Sequence, residues 1–308
     1  MKFGFAIPSI ALVNPELRHP WEASATPRDM LRIAQAADRL GYDWLSVPEH
    51  MVMLQNMVPV FGPRWPHTLT AMAFFAGATQ RIRFASSVVV VTLHHPVELA
   101  KMYATLDYLS GGRAIAGLGV GYVRREFAIM NADHTNRGAI ADEYIAAMIE
   151  LWSSDNPSFN GEHVKFERIA FEPRPVQKPH PPIWIGGHSR PSMRRAARFG
   201  DAWAPNFVTR AQLPEMLEFI RSQPGFQEKP RKFDVVMPLF EAEMDMRHNI
   251  IAPPRISEDR GEILEAVGQL KAAGATGTTV TFNPTRTLDE YLERLQWFAE
   301  EVIPSAKR

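Results

Sequence analysis

His50 stands just past a strand-like stretch, Asp43-Trp44-Leu45-Ser46-Val47, that Pro48-Glu49 brings to an end. An imidazole there can give or take a proton near neutral pH. A loop histidine in a structural hydrogen bond is the plain alternative. Two glycine-rich stretches repeat the strand-then-turn pattern. In Gly117-Leu118-Gly119-Val120-Gly121 the glycines let backbone approach a flat ligand or a phosphate. The dinucleotide fingerprint is excluded, because Tyr122 occupies the position that requires its last glycine. A tight turn accounts for the glycines equally well. In Ile183-Trp184-Ile185-Gly186-Gly187-His188-Ser189 a strand runs into two glycines and polar residues, then a helix from about Pro191. Backbone N–H groups at a helix start attract anions, and Arg190, Arg194 and Arg195 add positive charge. Phosphate binding is favoured there over a simple helix cap.

Other chemistries find less support. Adjacent side chains at His94-His95 point apart, and neither a His-x-His on the first strand nor a His-Glu-x-x-His occurs, so no metal is expected. No Gly-x-Ser-x-Gly marks a serine nucleophile. Glu49, Glu98 and Glu126 are candidates for a glycosidase pair, whose separation a sequence does not fix. With no cysteine, thiolate chemistry and disulfides are excluded, which fits a reducing cytoplasm. The 34 Lys and Arg balance 34 Asp and Glu, so no net field draws nucleic acid or an anionic membrane. No stretch of 18 apolar residues suggests a transmembrane helix. The apolar run from Phe3 to Val13 with Ala23-Ser24-Ala25 beyond it has the outline of a signal peptide. Pro8, Glu16, Arg18, His19 and Glu22 argue against that.

The elements that must position these residues alternate. Strands are expected at 3–8, 43–47, 82–92, 113–118, 182–185, 201–205, 233–240 and 277–282. Helices are expected at 27–40, 68–78, 96–109, 138–152, 191–199, 211–221, 259–273 and 288–303. The first helix has Thr26 as cap, Pro27 at its first position and Gly41 at its end. At 308 residues and 45% hydrophobic content, a sizeable core is available. About eight strand–helix units point to an α/β fold, a (β/α)8 TIM barrel with insertions, formed by 1–308 as a single domain. A doubly wound open sheet is the alternative. Insertions fall at 51–67, 153–181 and 241–258. The first is apolar (Met51, Met53, Leu54, Met57, Val58, Phe61, Trp65) and reads as a pocket wall or lid, a self-burying loop or a dimer contact. Phe159-Asn160-Gly161-Glu162-His163 in the second reads as a hairpin turn.

Taken together, Tyr42 to His50, Leu109-Ser110-Gly111-Gly112-Arg113, Gly117 to Tyr122 with Glu126-Phe127, Pro175-Val176-Gln177, Pro181 to Gly187 and Gly200-Asp201-Ala202-Trp203 carry a resemblance over nearly the whole chain. The chain resembles the bacterial luciferase-like flavin and deazaflavin oxidoreductases, and within them the coenzyme F-420-dependent branch. The resemblance implies a barrel with the cofactor ring across its C-terminal mouth, backed by a non-prolyl cis peptide at Ser87–Val88. It implies cofactor contacts at Gly119, Gly121 and Tyr122 and a second phosphate loop at Gly186, Gly187, His188 and Ser189. His50 matches a histidine that handles a substrate proton while hydride moves. Tyr122 departs from the sugar-phosphate dehydrogenase branch, which carries glutamate there, so sugar-phosphate oxidation is disfavoured. The implied cofactor is coenzyme F-420, with FMN as alternative. FMN would make the chain a two-component monooxygenase served by a separate flavin reductase. A cofactor-binding barrel without catalysis is a third reading. A homodimer through the second and third helices is expected, where Ala71, Ala73, Ala76 and Gly77 permit close approach.

Overall fold

The computed structural model describes residues 1–8, 18–228, 232–241, 243–245, 250–252 and 255–307. Eight parallel strands form its centre: β1 (Lys2–Ala6), β2 (Trp44–Val47), β3 (Arg83–Ser86), β4 (Ala114–Gly119), β5 (Ile183–Gly186), β6 (Ala202–Ala204), β7 (Asp234–Pro238) and β8 (Gly277–Val280). The ladder runs β3-β2-β1-β8-β7-β6-β5-β4, and Phe84↔Ala114 and Ala85↔Ile115 pair β3 with β4 and close the ring. It is a TIM barrel, as the alternation implied, and not an open sheet.

Eight principal helices surround it: α1 (Pro27–Leu40), α2 (Thr68–Ala76), α3 (Pro96–Ser110), α4 (Arg137–Ser153), α5 (Arg190–Phe199), α6 (Leu213–Arg221), α7 (Arg260–Ala273) and α8 (Leu288–Trp297). Local chemistry sets their ends. The Thr26 Oγ accepts from the Asp29 N–H while the Asp29 carboxylate accepts from the Thr26 N–H, closing a capping box on α1. Gly41 takes φ 79° and ends the helix in the left-handed region. The helix expected over 288–303 is interrupted. A π turn covers Phe298–Val302 and a short α-helix follows at Ile303–Lys307. Pro304 has no N–H to continue the α ladder. The hairpin in the second insertion forms, with Phe159–Asn160 antiparallel to Lys165–Phe166. Among the described residues no helix is long and apolar enough to cross a membrane.

Core packing explains two barrel glycines. Trp44, Ala85, Ile115, Trp184, Ala202 and Val236 pack together inside the ring, with the Trp44 and Trp184 rings edge-on at 5.2 Å. A Cβ on Gly4 would lie 2.2 Å from the Trp44 ring, and one on Gly277 3.0 Å from it. These strands carry glycine because an indole occupies the space.

The strand expected at 82–92 does not run through. It stops at Ser86, the Ser87–Val88 peptide is cis, Val89–Val90 resume pairing with Leu118–Gly119, and a 3-10 turn covers Val91–Leu93. Contacts to β4 impose the break. The Ser86 carbonyl oxygen sits 1.7 Å from where a Gly117 Cβ would be. The Ser86 Oγ accepts from the Gly117 N–H at 2.9 Å and lies 2.5 Å from the buried Tyr103 hydroxyl. Gly117→Ala therefore drives a methyl into a backbone oxygen. Overpacking typically costs about 1–3 kcal/mol. We expect a loss at the top of that range or failure to fold, read by urea denaturation. A loss under about 0.5 kcal/mol contradicts this packing.

Candidate active site at the barrel mouth

An open cavity of ≈ 1820 Å³, mouth included, lies at the C-terminal ends of the strands. Ser46, Trp44, Gly117, Trp184 and Val236 form its floor, with Ser87 and Val88 at one side. The segments after β1, β6, β7 and β8 complete the wall through Arg18, His19, Glu22, Phe207, Phe240, Glu241 and Phe282.

Val88 has a built seat. A Cβ on Gly119 would lie 2.5 Å from its Cγ2, and one on Gly186 2.7 Å from its Cγ1. These two glycines accommodate the valine that enters between β4 and β5. Gly121 is a turn residue at φ 68°, and a Cβ there would lie 2.7 Å from Val90 and 2.8 Å from Phe127. Its carbonyl accepts from Arg137 Nε. Gly187 sits at φ 89°, its carbonyl accepting from Trp203 Nε1 at 2.8 Å.

The second glycine loop leads into α5 as expected. His188, Ser189 and Arg190 are exposed. The Ser189 Oγ accepts from the Ser192 N–H at 3.3 Å and caps the helix. Among the described residues, no hydrogen bond occupies the N–H groups of His188 and Ser189. The arginines divide. Arg190 and Arg194 lie over the Phe219 ring at 4.8 and 5.8 Å. Arg195 is taken out of the expected anion site, because its Nε binds Asp142 at 2.5 Å and its Nη2 the Gly138 carbonyl.

His50 is nearly buried and stands outside the cavity wall, in an aromatic cage. Its ring lies edge-on to Trp65 at 4.6 Å, with Tyr122 at 6.2 Å and Phe61 at 6.4 Å. Its Nδ1 is 3.0 Å from Glu126 Oε2. Glu126 Oε1 accepts from the Met51 N–H at 2.6 Å. Burial alone would raise the Glu126 pKa, but the hydrogen bond and charge of His50 and the N–H groups of Met51 and Val52 hold it below the ordinary 4.5. An ionised carboxylate only accepts, so Nδ1 carries the hydrogen and Nε2 is the nitrogen at which the ring would gain or lose a proton. Tyr122 is half exposed, and partial burial with the Glu126 charge pushes its phenol above 10.

The other carboxylates are structural. Glu49 accepts from the Val90 N–H at 2.7 Å and from His94 Nε2 at 3.0 Å, clamping the chain just past Val88. Glu98 is exposed in the first turn of α3. The segment 51–67 contributes nothing to the cavity wall. Instead, Arg64 donates to the carbonyls of Glu22 and Ala23, and Arg18 to that of Val60, so it docks against the chain after β1.

His19 is a wall residue that periodicity and motifs did not single out. Its Nδ1 accepts from the Thr285 N–H at 2.9 Å, and Trp21 and Tyr291 pack on its ring at 5.2 and 4.9 Å. It is legible only through this long-range contact.

The luciferase-like monooxygenase family model matches residues 1–242. The chain belongs to that family. An F420-dependent glucose-6-phosphate dehydrogenase of Amycolatopsis mediterranei is 30% identical over 194 residues, 61% of this chain and 56% of that protein. An FMNH(2)-dependent dimethylsulfone monooxygenase of Pseudomonas putida is 26% identical over 214 residues, 67% and 56%. The match takes in 64% of the length of an uncharacterized Mycobacterium tuberculosis protein at 33% identity. The crystal structure of monooxygenase RslO1 from Streptomyces bottropensis superposes with TM-score 0.78 over 99% of both chains at 22% identity, which is a likeness of fold. Members of this luciferase-like family are oxidoreductases, and both cofactor types occur among the relatives.

Burial pushes the His19 pKa down from 6.5 to about 4. Between those values the unfolded chain takes up a proton that the folded chain refuses. Stability therefore falls as pH drops from 6.5 toward 4, by up to about 1.4 kcal/mol per pH unit from this residue. Urea denaturation at pH 7, 6 and 5 should show a shallower fall for His19→Gln than for the wild type. Equal slopes contradict a buried neutral imidazole.

Proposed function

We propose that this family member is a coenzyme F-420-dependent oxidoreductase acting on a small, largely apolar substrate. The observation that carries the reading is the His50–Glu126 pair. A buried carboxylate holds the imidazole in one tautomer, with Nε2 available for a proton. Removing hydride from an alcohol carbon needs a base for the hydroxyl proton, and hydride addition to an activated alkene needs an acid. One histidine serves either direction.

The residues present fit the cofactor. The cavity is wide, mostly apolar and floored by Trp184, with Val88 seated at its edge. That suits a flat ring resting on Val88 near Ser87 and Gly119. The turn Gly186-Gly187-His188-Ser189 ahead of α5 suits an anionic tail. The bound deazaflavin supplies a two-electron hydride carrier. The chain positions it and excludes water with apolar walls, and the reading requires His50, which stands outside the present wall, to reach the substrate proton through Nε2. A homodimer fits the exposed Phe74, Tyr108 and Leu109 on and around α2 and α3.

The FMN-dependent monooxygenase reading, with a reductase partner, is favoured by the Pseudomonas relative. Titration separates the two. Ring fluorescence should report F-420 binding at least tenfold tighter than FMN. His50→Asn should keep that affinity within about twofold and lower turnover of a screened alcohol or activated alkene by about a hundredfold. Preference for FMN would replace this reading with the monooxygenase, and binding of neither would contradict both.

A further inference from the structure

Among the described residues, three arginines have a buried Nε with no hydrogen-bond partner: Arg18, Arg174 and Arg210. Arg174 is paired with Asp155, and Arg210 with Glu241 at 3.3 Å. Among the described residues, Arg18 has no carboxylate within ion-pair distance. Its one hydrogen bond runs from Nη2 to the Val60 carbonyl at 3.2 Å. Yet Arg18 lines the mouth cavity. A guanidinium carries five donors and cannot shed its charge, and among the described residues the Val60 carbonyl is the partner this one has.

The neighbouring acids do not neutralise it. Glu241 is committed to Arg210, whose backbone N–H it also accepts at 2.7 Å. Glu22 accepts from the His19 N–H at 3.2 Å and stands 4.0 Å from His19 Nε2. The wall also carries Phe207, Val208, Phe240, Val280 and Phe282, with Asn206, Thr281 and Tyr291 as polar but uncharged members.

From this we infer that Arg18 anchors an anionic group on the substrate, so the substrate class is an apolar molecule with one carboxylate. The inference rests on the proposed function for the chemistry at the other end of the molecule. One short helix, Val58–Phe61, links the two ends. Its Val60 carbonyl holds Arg18, and the adjoining Phe61 ring lies 6.4 Å from the His50 ring. An anion held at Arg18 thus fixes the position of the rest of the molecule relative to the base. The two plausible sources of an oxyanion are a substrate carboxylate and a cofactor phosphate. Committed on one side to a backbone carbonyl, and lining a cavity whose wall also holds Phe207, Phe240 and Phe282, Arg18 matches the carboxylate of an apolar molecule.

Octanoate and octan-1-ol are the probes, read by quenching of the tryptophans that line the cavity. Wild type should bind octanoate at least tenfold more tightly than octan-1-ol, the scale of one charge-assisted hydrogen bond or more. Arg18→Gln should remove that difference and leave F-420 affinity within about twofold. Arg18→Lys should restore most of it. Equal binding of the two probes by wild type, which needs no variant, would overturn the inference. So would octanoate affinity unchanged in Arg18→Gln, or a loss of F-420 affinity in that variant with octanoate unaffected. Absence of F-420 binding by wild type would instead count against the proposed function, since the probe contrast is read without cofactor.

Discussion

The approach of β3 to β4 is so close that neither strand has room for an ordinary neighbour. Ser86 places its carbonyl oxygen where a Gly117 side chain would start, and Val88 fills the space that side chains at Gly119 and Gly186 would take. Three strands are thereby locked together at the mouth of the barrel. The ladder resumes only at Val89–Val90, and Ser87 and Val88 are left facing the cavity. The floor of the site, the turn at Gly121 and the strand feeding α5 all take their positions from this packing.

Two buried carboxylates then fix what stands around it. Glu49, at the end of β2, reaches the Val90 N–H and His94 and so pins the chain leaving the Val88 seat. Glu126 reaches back to His50 and to the N–H groups that follow it, pinning the chain leaving β2. Each acid is satisfied by backbone N–H donors and one imidazole, so neither buried carboxyl group is left without partners. The outcome is an imidazole held by its Nδ1 hydrogen bond in an aromatic cage outside the cavity wall.

Much of the architecture was legible in the residues. Apolar runs alternating with capped amphipathic segments led to the closed barrel, and the Thr26–Gly41 boundaries of α1 hold to the residue. What escaped the sequence pattern was long-range. Val88-Val89-Val90-Val91 reads as uninterrupted strand, because the break is imposed by Gly117 and Gly119 some 30 residues on. Gly119 and Gly186 are rare small residues for a reason that periodicity does not reveal: they make room for a valine. Arg195 has the same charge as Arg190 but faces Asp142 across a helix pair. The apolar segment 51–67 looked like a cover for the cavity, yet hydrogen bonds to residues 18–23 hold it to one side, where it encloses His50 instead. Arg18 and His19 belong to the wall through contacts with residues 60 and 285, and no local motif marks them.

The central claim is that Val88, seated by its two glycines, is the surface on which the cofactor ring rests. Gly119→Ala tests it most directly. The added methyl would lie 2.5 Å from Val88 Cγ2 and must displace that side chain toward the cavity. The account predicts at least a tenfold loss of F-420 affinity by ring fluorescence, with far-ultraviolet circular dichroism unchanged. An F-420 affinity equal to wild type in a folded Gly119→Ala variant would contradict it.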